Sequence, residues 1–419
     1  MRIENGWFTK GGKVIWGMVH HNGWWGGFRH SGKPFVDEYK LRMALTRNAP
    51  GESGPCRTED LDRLTDAMAQ YRYPGFEHNY GLWYDRRRDA HDKVARSDDQ
   101  ALAPFLEMPW ARSEEGRAWD GLPKYDLTRF NPWYFDRLKA FAHLCEQKGL
   151  IFFHSFYMQH NLLESMAHYV DFPWRPNNCI QETGMPEYPD LEKAELCAAN
   201  DFYSTDRSAM RELHSLYIQK CLEVLGQFDN VVFSVSQEFT GPLSFVHFWL
   251  EELEKWETRN GCKLKICMGA TKDVLDAVLT DAHWGPRISV IDLRYWWYER
   301  DGSLYAPTGG HNIPARYVGK RDTTLAQSFR QIVEYRKRYP EKAIPKKRPF
   351  KISMRPLNIC GRVFWPAASC PSPALNTPLA SHPMSRGTRR MNTSVLCRQN
   401  GPFPSVVLCT NTWPRIFRT

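Results

Sequence analysis

Short apolar runs alternate with longer segments in which apolar residues recur every three or four positions. Val14-Ile15-Trp16-Gly17-Met18-Val19 predicts a first strand, ending in the polar, aromatic loop from His20 to Gly27. Thr58 predicts the cap of a helix running to about Tyr71, with Leu61, Leu64, Met68 and Tyr71 on one face. Pro74-Gly75 stops that helix, and Phe76-Glu77-His78-Asn79 reads as the end of a second strand. Asn131 predicts a second cap, with Pro132 at the first helical position and Phe135, Leu138, Phe141, Leu144 and Cys145 on one side. Gly149 ends this helix. Leu150-Ile151-Phe152-Phe153-His154 is the uninterrupted apolar run that a parallel strand buried on both faces requires.

The alternation continues. Helix 207–225 precedes strand Val231–Val235, helix 243–258 precedes strand Leu264–Met268, and helix 272–281 precedes strand Ile288–Asp292. Helix 323–338 leads to Ala343-Ile344, where Pro345-Lys346-Lys347-Arg348-Pro349 breaks a seventh strand. Long irregular connections fill Tyr80 to Phe130 and about Gln159 to Thr205. This order predicts an α/β chain folded as a (β/α)8 barrel, with strands seven and eight truncated or disrupted. The alternative is a doubly wound open sheet, but no Gly-rich phosphate loop follows any strand.

Composition narrows the class. With 42% hydrophobic and 25% charged residues the chain is not a disordered one. No window approaches 18 uninterrupted apolar residues, so no membrane span is expected. Met1 to Trp7 holds no apolar signal-peptide core, so the chain as given is expected to be cytoplasmic.

Net charge is +9, which suggests a nucleic-acid partner until the charge is located. Residues 346–419 hold 12 of the 56 Lys and Arg and none of the 47 Asp and Glu, leaving 44 basic against 47 acidic residues in 1–345. The main body is near neutral, and the basic tail lacks interleaved aromatics, so no nucleic acid is expected. That tail also holds 10 of the 28 prolines and 4 of the 11 cysteines, and shows neither helical nor strand periodicity. The expected division is a barrel over 1–345 and a tail over 346–419 that is disordered or has lost the native reading frame near Ile344–Phe350. The cysteines show no C-x-x-C and no zinc spacing, so neither metal nor cofactor is expected.

Active sites of such barrels lie at the carboxyl ends of the strands. Strand one offers His20, His21, Asn22, Trp24 and Trp25; strand two offers Glu77, His78, Asn79 and Trp83. Strand three offers His154, Gln159 and His160, strand four Gln237 and Glu238, and strand six Asp292, Arg294, Trp296 and Trp297. Tryptophan faces stack on sugar rings, and amides and imidazoles hydrogen-bond hydroxyls, so the expected partner is an oligosaccharide or polysaccharide. Glu238 ends a wholly apolar strand, where a partly dry carboxyl can serve as general acid. Asp292 is either the second carboxyl or the group that orients Arg294. Glu77 is either catalytic or a buried partner of Arg86-Arg87-Arg88, a run that could itself grip uronate carboxylates. His78 and His154 either bind substrate or are satisfied core histidines, and the Trp24-Trp25 and Trp296-Trp297 pairs are either sugar platforms or core. Adjacent His20 and His21 point to opposite faces of a strand and do not make a metal pair.

Gln237-Glu238 resembles the Asn-Glu acid/base signature of the clan A glycoside hydrolases. The stretches Gly75–Asp89, Trp119–Thr128, His168–Pro176 and Ile291–Trp296 resemble a family of bacterial glycoside hydrolases distantly similar to apiosidase-like barrels, over about residues 5–344. The resemblance implies cleavage of a plant or microbial polysaccharide, pectic ones included, and export to the periplasm or outside the cell. It also implies a nucleophilic Glu at the end of strand seven, but no Asp or Glu follows Glu341. A glycan-binding barrel lacking the second carboxylate is therefore the alternative.

Overall fold

The computed structural model describes residues 1–21, 28–29, 44–53, 58–80, 101–102, 105–163, 169–188, 198–237, 239–309, 323–345 and 362–363. They belong to one unit, Met1–Phe364, and the second unit, Trp365–Thr419, lies outside them. The tail proposed over 346–419 is therefore undescribed apart from residues 362 and 363.

Six parallel strands form the sheet, each hydrogen-bonded to the next in chain order: Met18–His21, Gly75–His78, Ile151–Met158, Val231–Gln237, Lys265–Met268 and Ile288–Ile291. They are called strands one to six. A seventh begins at Ala343, which bridges Val290 in parallel and exchanges backbone hydrogen bonds with Ser289 and Ile291. Sequential parallel order, with no reversal at the middle, is barrel winding and excludes the doubly wound sheet. The far side of strand one pairs with Arg362–Val363, but antiparallel, where a complete barrel would carry a parallel eighth strand.

The ring is curved. Val19, Ile151, Phe153, Val232, Cys267, Val290 and Ala343 meet in one buried cluster, contributed by strands one, three, four, five, six and seven. Phe8 joins them from an antiparallel hairpin formed by Arg2–Glu4, Trp7–Lys10 and Lys13–Val14. The Met1 amino group bonds Asp229, just before strand four, so this hairpin covers the amino-terminal end of the barrel. Val14 lies in the hairpin, and strand one starts at Met18; the apolar run from Val14 therefore spans two elements, with Gly17 at φ 139° between them.

Helices wrap the outside: α1 Leu61–Gln70, α2 Pro132–Lys148, α3 Ser208–Leu225, α4 Leu243–Asn260, α5 Lys272–Thr280 and α6 Leu325–Arg338. Helix α2 follows its sequence signals closely. Asn131 accepts from the Tyr134 N–H, Pro132 opens the helix, and Gly149 closes it at φ 71°. Helix α1 is capped instead by Asp60, which accepts from the Arg63 N–H at 3.0 Å. Thr58 is spent elsewhere, donating to the Ala49 carbonyl. Outward strand residues meet the helices as aromatic pairs, with Phe76 and Phe152 on Phe141 of α2 and Phe156 on Trp249 of α4. Each such buried ring contributes roughly 1.5–3 kcal/mol.

Strands two and three approach closely because residue 75 is glycine. A Cβ there would lie 2.2 Å from the Ile151 carbonyl oxygen. Gly75→Ala is expected to destabilise the fold by about 1–3 kcal/mol through overpacking, read as a fall in Tm. An unchanged Tm would mean that the two strands do not pair in this register.

Candidate active site

The hairpin occupies the amino-terminal end, so the carboxyl ends of the strands are where a pocket can form. The strand pleat decides what faces it. Glu77 is in register with Phe153, an interior residue, and with His21 of strand one. Asp292 lies two residues beyond interior Val290, and its N–H donates to the Met268 carbonyl at 2.8 Å. Both carboxylates therefore belong to the barrel interior, and both are buried.

Arg294 joins them. Its Nε donates to Asp292 Oδ2 at 2.7 Å, and its Nη2 lies 3.4 Å from Glu77 Oε1. Strands two and six are four strand spacings apart, about 19 Å in a flat sheet at about 4.8 Å per spacing. An arginine cannot span that, so the bridge exists because the sheet has rolled up. Gly269, at the end of strand five, makes room: a Cβ there would sit 2.9 Å from Asp292 Cβ and 3.1 Å from Oδ2. Tyr295 follows at φ 55°, a left-handed conformation costing a buried non-glycine residue on the order of 1–3 kcal/mol.

Small hydroxyls line the neighbouring wall. Ser155 and Ser234 Oγ atoms are 2.9 Å apart across strands three and four. Ser236 donates to the Gln237 carbonyl at 2.8 Å and accepts from the Gln159 N–H at 3.2 Å. The Gln159 side chain is buried and clamps the turn after strand four, accepting from the Thr240 N–H at 2.9 Å and donating to Thr240 Oγ1 at 3.3 Å. It ties two loops together. Gln237 is half-buried at the end of strand four, and Asn79 is buried just past strand two.

Other expected site residues lie away from this centre. Strand three continues to Met158, four residues past the apparent polar stop at His154, so His154 is a mid-strand residue. Its ring packs with His78, Phe152, Phe156 and Phe233, and neither ring nitrogen has a hydrogen-bond partner. His78 stacks on it at 6.0 Å and places Nε2 3.0 Å from the Tyr134 hydroxyl of α2. Burial pushes the His154 imidazolium pKa down to about 3, and burial followed by the neighbouring His154 holds His78 well below its usual range. Both occupy the layer between sheet and helices as neutral aromatic filler, the core-histidine alternative. Trp296 is fully buried against Tyr335 of α6, with the Lys272 ammonium 5.2 Å from its ring centre. Trp297 stacks on Tyr305 and donates its indole N–H to Glu299 at 2.6 Å.

Asn22, Trp24, Trp25, Trp83 and Glu238 lie outside the described residues, as do Arg86 to Arg88 and the side chains of His20, His21 and His160. Glu77 has Arg294 as a buried ionic partner, and Asp292 pairs with the same arginine. Sequence reading named each of these residues but not the bridge, nor the supporting serines and Gly269. The only local signal was a glycine directly after an apolar strand. Among the described residues no group of three or more His, Cys, Asp and Glu is placed to hold a metal ion. No described helix is long and apolar enough to cross a membrane.

Sequential parallel winding of this kind is that of (β/α)8 barrels, in which sites form at the carboxyl ends of the strands. The chain belongs to the family of the domain of unknown function DUF6298, which matches residues 1–349. The match ends inside the segment where acidic residues disappear. No curated protein matches the chain. Similar solved structures include a glycoside hydrolase family 5 mannosidase from Rhizomucor miehei, at 13% identity and TM-score 0.39, covering 82% of this chain and 70% of that one. A mutant of the same mannosidase matches with the same identity and TM-score, covering 81% and 70%.

Proposed function

We propose that this chain is a glycoside hydrolase, with Glu238 as the proton-carrying carboxyl and Asp292 as the second carboxylate. The observation that carries this reading is the pair of buried carboxylates, Glu77 and Asp292, converging on Arg294 inside the carboxyl end of a parallel barrel. Buried charge is costly, and its concentration at this end is what a site for acid–base chemistry requires. In the sequence Glu238 directly follows Gln237, the last residue of strand four. Asn79, Gln237 and Arg294 supply donors and acceptors of the kind that hold sugar hydroxyls.

The test is hydrolysis of a panel of neutral and acidic oligosaccharides from hemicellulose and pectin, with products resolved by chromatography and mass spectrometry. The expected result is release of a reducing sugar from at least one neutral substrate. The absence of Asp and Glu after Glu341 favours a second reading, a glycan-binding barrel. Saturable binding with no product across the panel would select that reading.

A further inference from the structure

A cavity of about 390 Å³, of the size that takes a small molecule, lies at the end of the barrel opposite the candidate active site. It sits on the outer face of the sheet, between the turn 226–229 that leads into strand four and the segment 260–265 that runs from α4 into strand five. Its depth is apolar. Val231, Phe233 and Leu264 are buried there, and Phe228 and Trp256 form the sides. The walls are fixed by their own packing. Residue 226 is glycine, and a Cβ there would lie 2.4 Å from Trp256 Cζ2, so the turn rests directly on the indole. Gly261, at φ 64°, ends α4 and turns the chain toward strand five. Lys265 donates to the Asp229 carbonyl at 2.8 Å and pairs with the Asp229 carboxylate, which ties one wall to the other.

The mouth carries charge. Its ionised lining is Asp229, Lys263 and Lys265, an excess of one positive charge. Lys265 and Asp229 neutralise one another, and the Met1 ammonium also bonds Asp229. Lys263 is the more available cation. Its side chain is 80% exposed, and Glu257, 3.5 Å away, also has the Leu264 N–H and Arg287, a residue shared with Glu254, as partners. An exposed pair of that kind is worth little and yields to a better-placed anion. An apolar depth with a cation at its mouth matches a flat apolar body that ends in a carboxylate. We propose that this cavity binds a small aromatic carboxylate, with the ring against Phe228 and Trp256 and the carboxylate on Lys263.

Titration calorimetry of cinnamate into the full chain at low salt tests this. Saturable binding of a single molecule is expected. Cinnamyl alcohol, which keeps the ring and lacks the charge, is expected to bind roughly tenfold more weakly, as is cinnamate to Lys263→Glu. Cys262 reports the location. It lines the cavity and is half-buried, whereas Cys145, Cys179, Cys221 and Cys267 are buried. Cinnamate at ten times its Kd is expected to slow iodoacetamide alkylation of Cys262 by roughly tenfold, read by peptide mass spectrometry. Absence of saturable binding would overturn the proposal, as would binding that leaves the Cys262 rate unmoved. Equal affinity for cinnamyl alcohol, or an unchanged affinity in Lys263→Glu, would reject the carboxylate on Lys263. Sugar turnover enters none of these measurements, so they are decided apart from the glycosidase reading.

Discussion

Glutamine in place of Glu238 is expected to lower turnover of an unactivated glycoside by roughly 10²–10⁴-fold, the usual contribution of a positioned general acid. Glutamine keeps the size of the side chain and its capacity to hydrogen-bond, and removes only the transferable proton. The loss should therefore depend on the leaving group. A 2,4-dinitrophenyl glycoside departs without protonation, so its cleavage is expected to fall far less, while the alkyl or sugar glycoside carries the full loss. Equal losses on both substrates would remove Glu238 from the proton-donor role. Unchanged turnover on both would remove it from the site. Circular dichroism and Tm should match the parent protein, since glutamine has the volume of glutamate.

Stability is expected to fall steeply as pH drops from about 6.5 to 5, through His78, His154 and His214. His214 donates Nε2–H to the Phe202 carbonyl at 2.8 Å and accepts from the Tyr157 hydroxyl at 2.8 Å. Burial lowers its pKa to about 3, as it does that of His154, and holds His78 well below its usual range. In the unfolded chain each imidazole titrates near 6.5. Above that pH both states are neutral and the full stability is present. Below it the unfolded chain binds protons that the folded chain refuses, so stability is lost as pH falls toward 3. At pH 5 each histidine costs about 2 kcal/mol and the three about 6, against a typical total of about 5–15 kcal/mol.

Urea midpoints at pH 7, 6 and 5 measure this loss, and a flat profile would mean that these rings are charged or exposed. Asp126, Asp229 and Glu252, whose pKa values are lowered, lose their stabilising charge only below about pH 4, outside the window. Glu59, which burial pushes up to about 7 against the opposing Arg47 charge, takes up its proton in the folded chain first and offsets part of the histidine loss inside the window. His154→Leu separates one site from the rest. Its ring makes no hydrogen bond, so leucine forfeits none, and the variant should be more stable at pH 5 than the parent by about 2 kcal/mol beyond any difference at pH 7.

Much of the fold was legible along the chain. The apolar runs at 151–153, 231–235 and 288–291 are strands, and the Asn131-Pro132 start and Gly149 stop bound α2 as expected. Errors arose where a local mark had another use. Thr58 has the chemistry of a cap, but its hydroxyl serves Ala49, and the cap is Asp60. His154 resembles a strand end because it is the first polar residue after an apolar run, yet the strand passes through it to Met158. Residue type alone cannot tell a buried imidazole from one in a pocket, because both sit at the edge of apolar sequence. The difference lies in which face of the pleat the residue takes, and a strand's end must be known before its faces can be assigned at the rim.

What the sequence determined by itself is the local part: strand–helix order, parallel winding and polar side chains near particular strand ends, Glu77 and Asp292 among them. Those follow from periodicity and capping, which act within a few residues. What the tertiary structure decided is which of those side chains meet. Arg294 and Glu77 stand 217 positions apart in the chain and touch only because the sheet rolls until strand six faces strand two. Trp296 faces outward because one left-handed residue turns it onto a helix. Such contacts depend on curvature summed over many residues, and no short stretch of sequence records that sum.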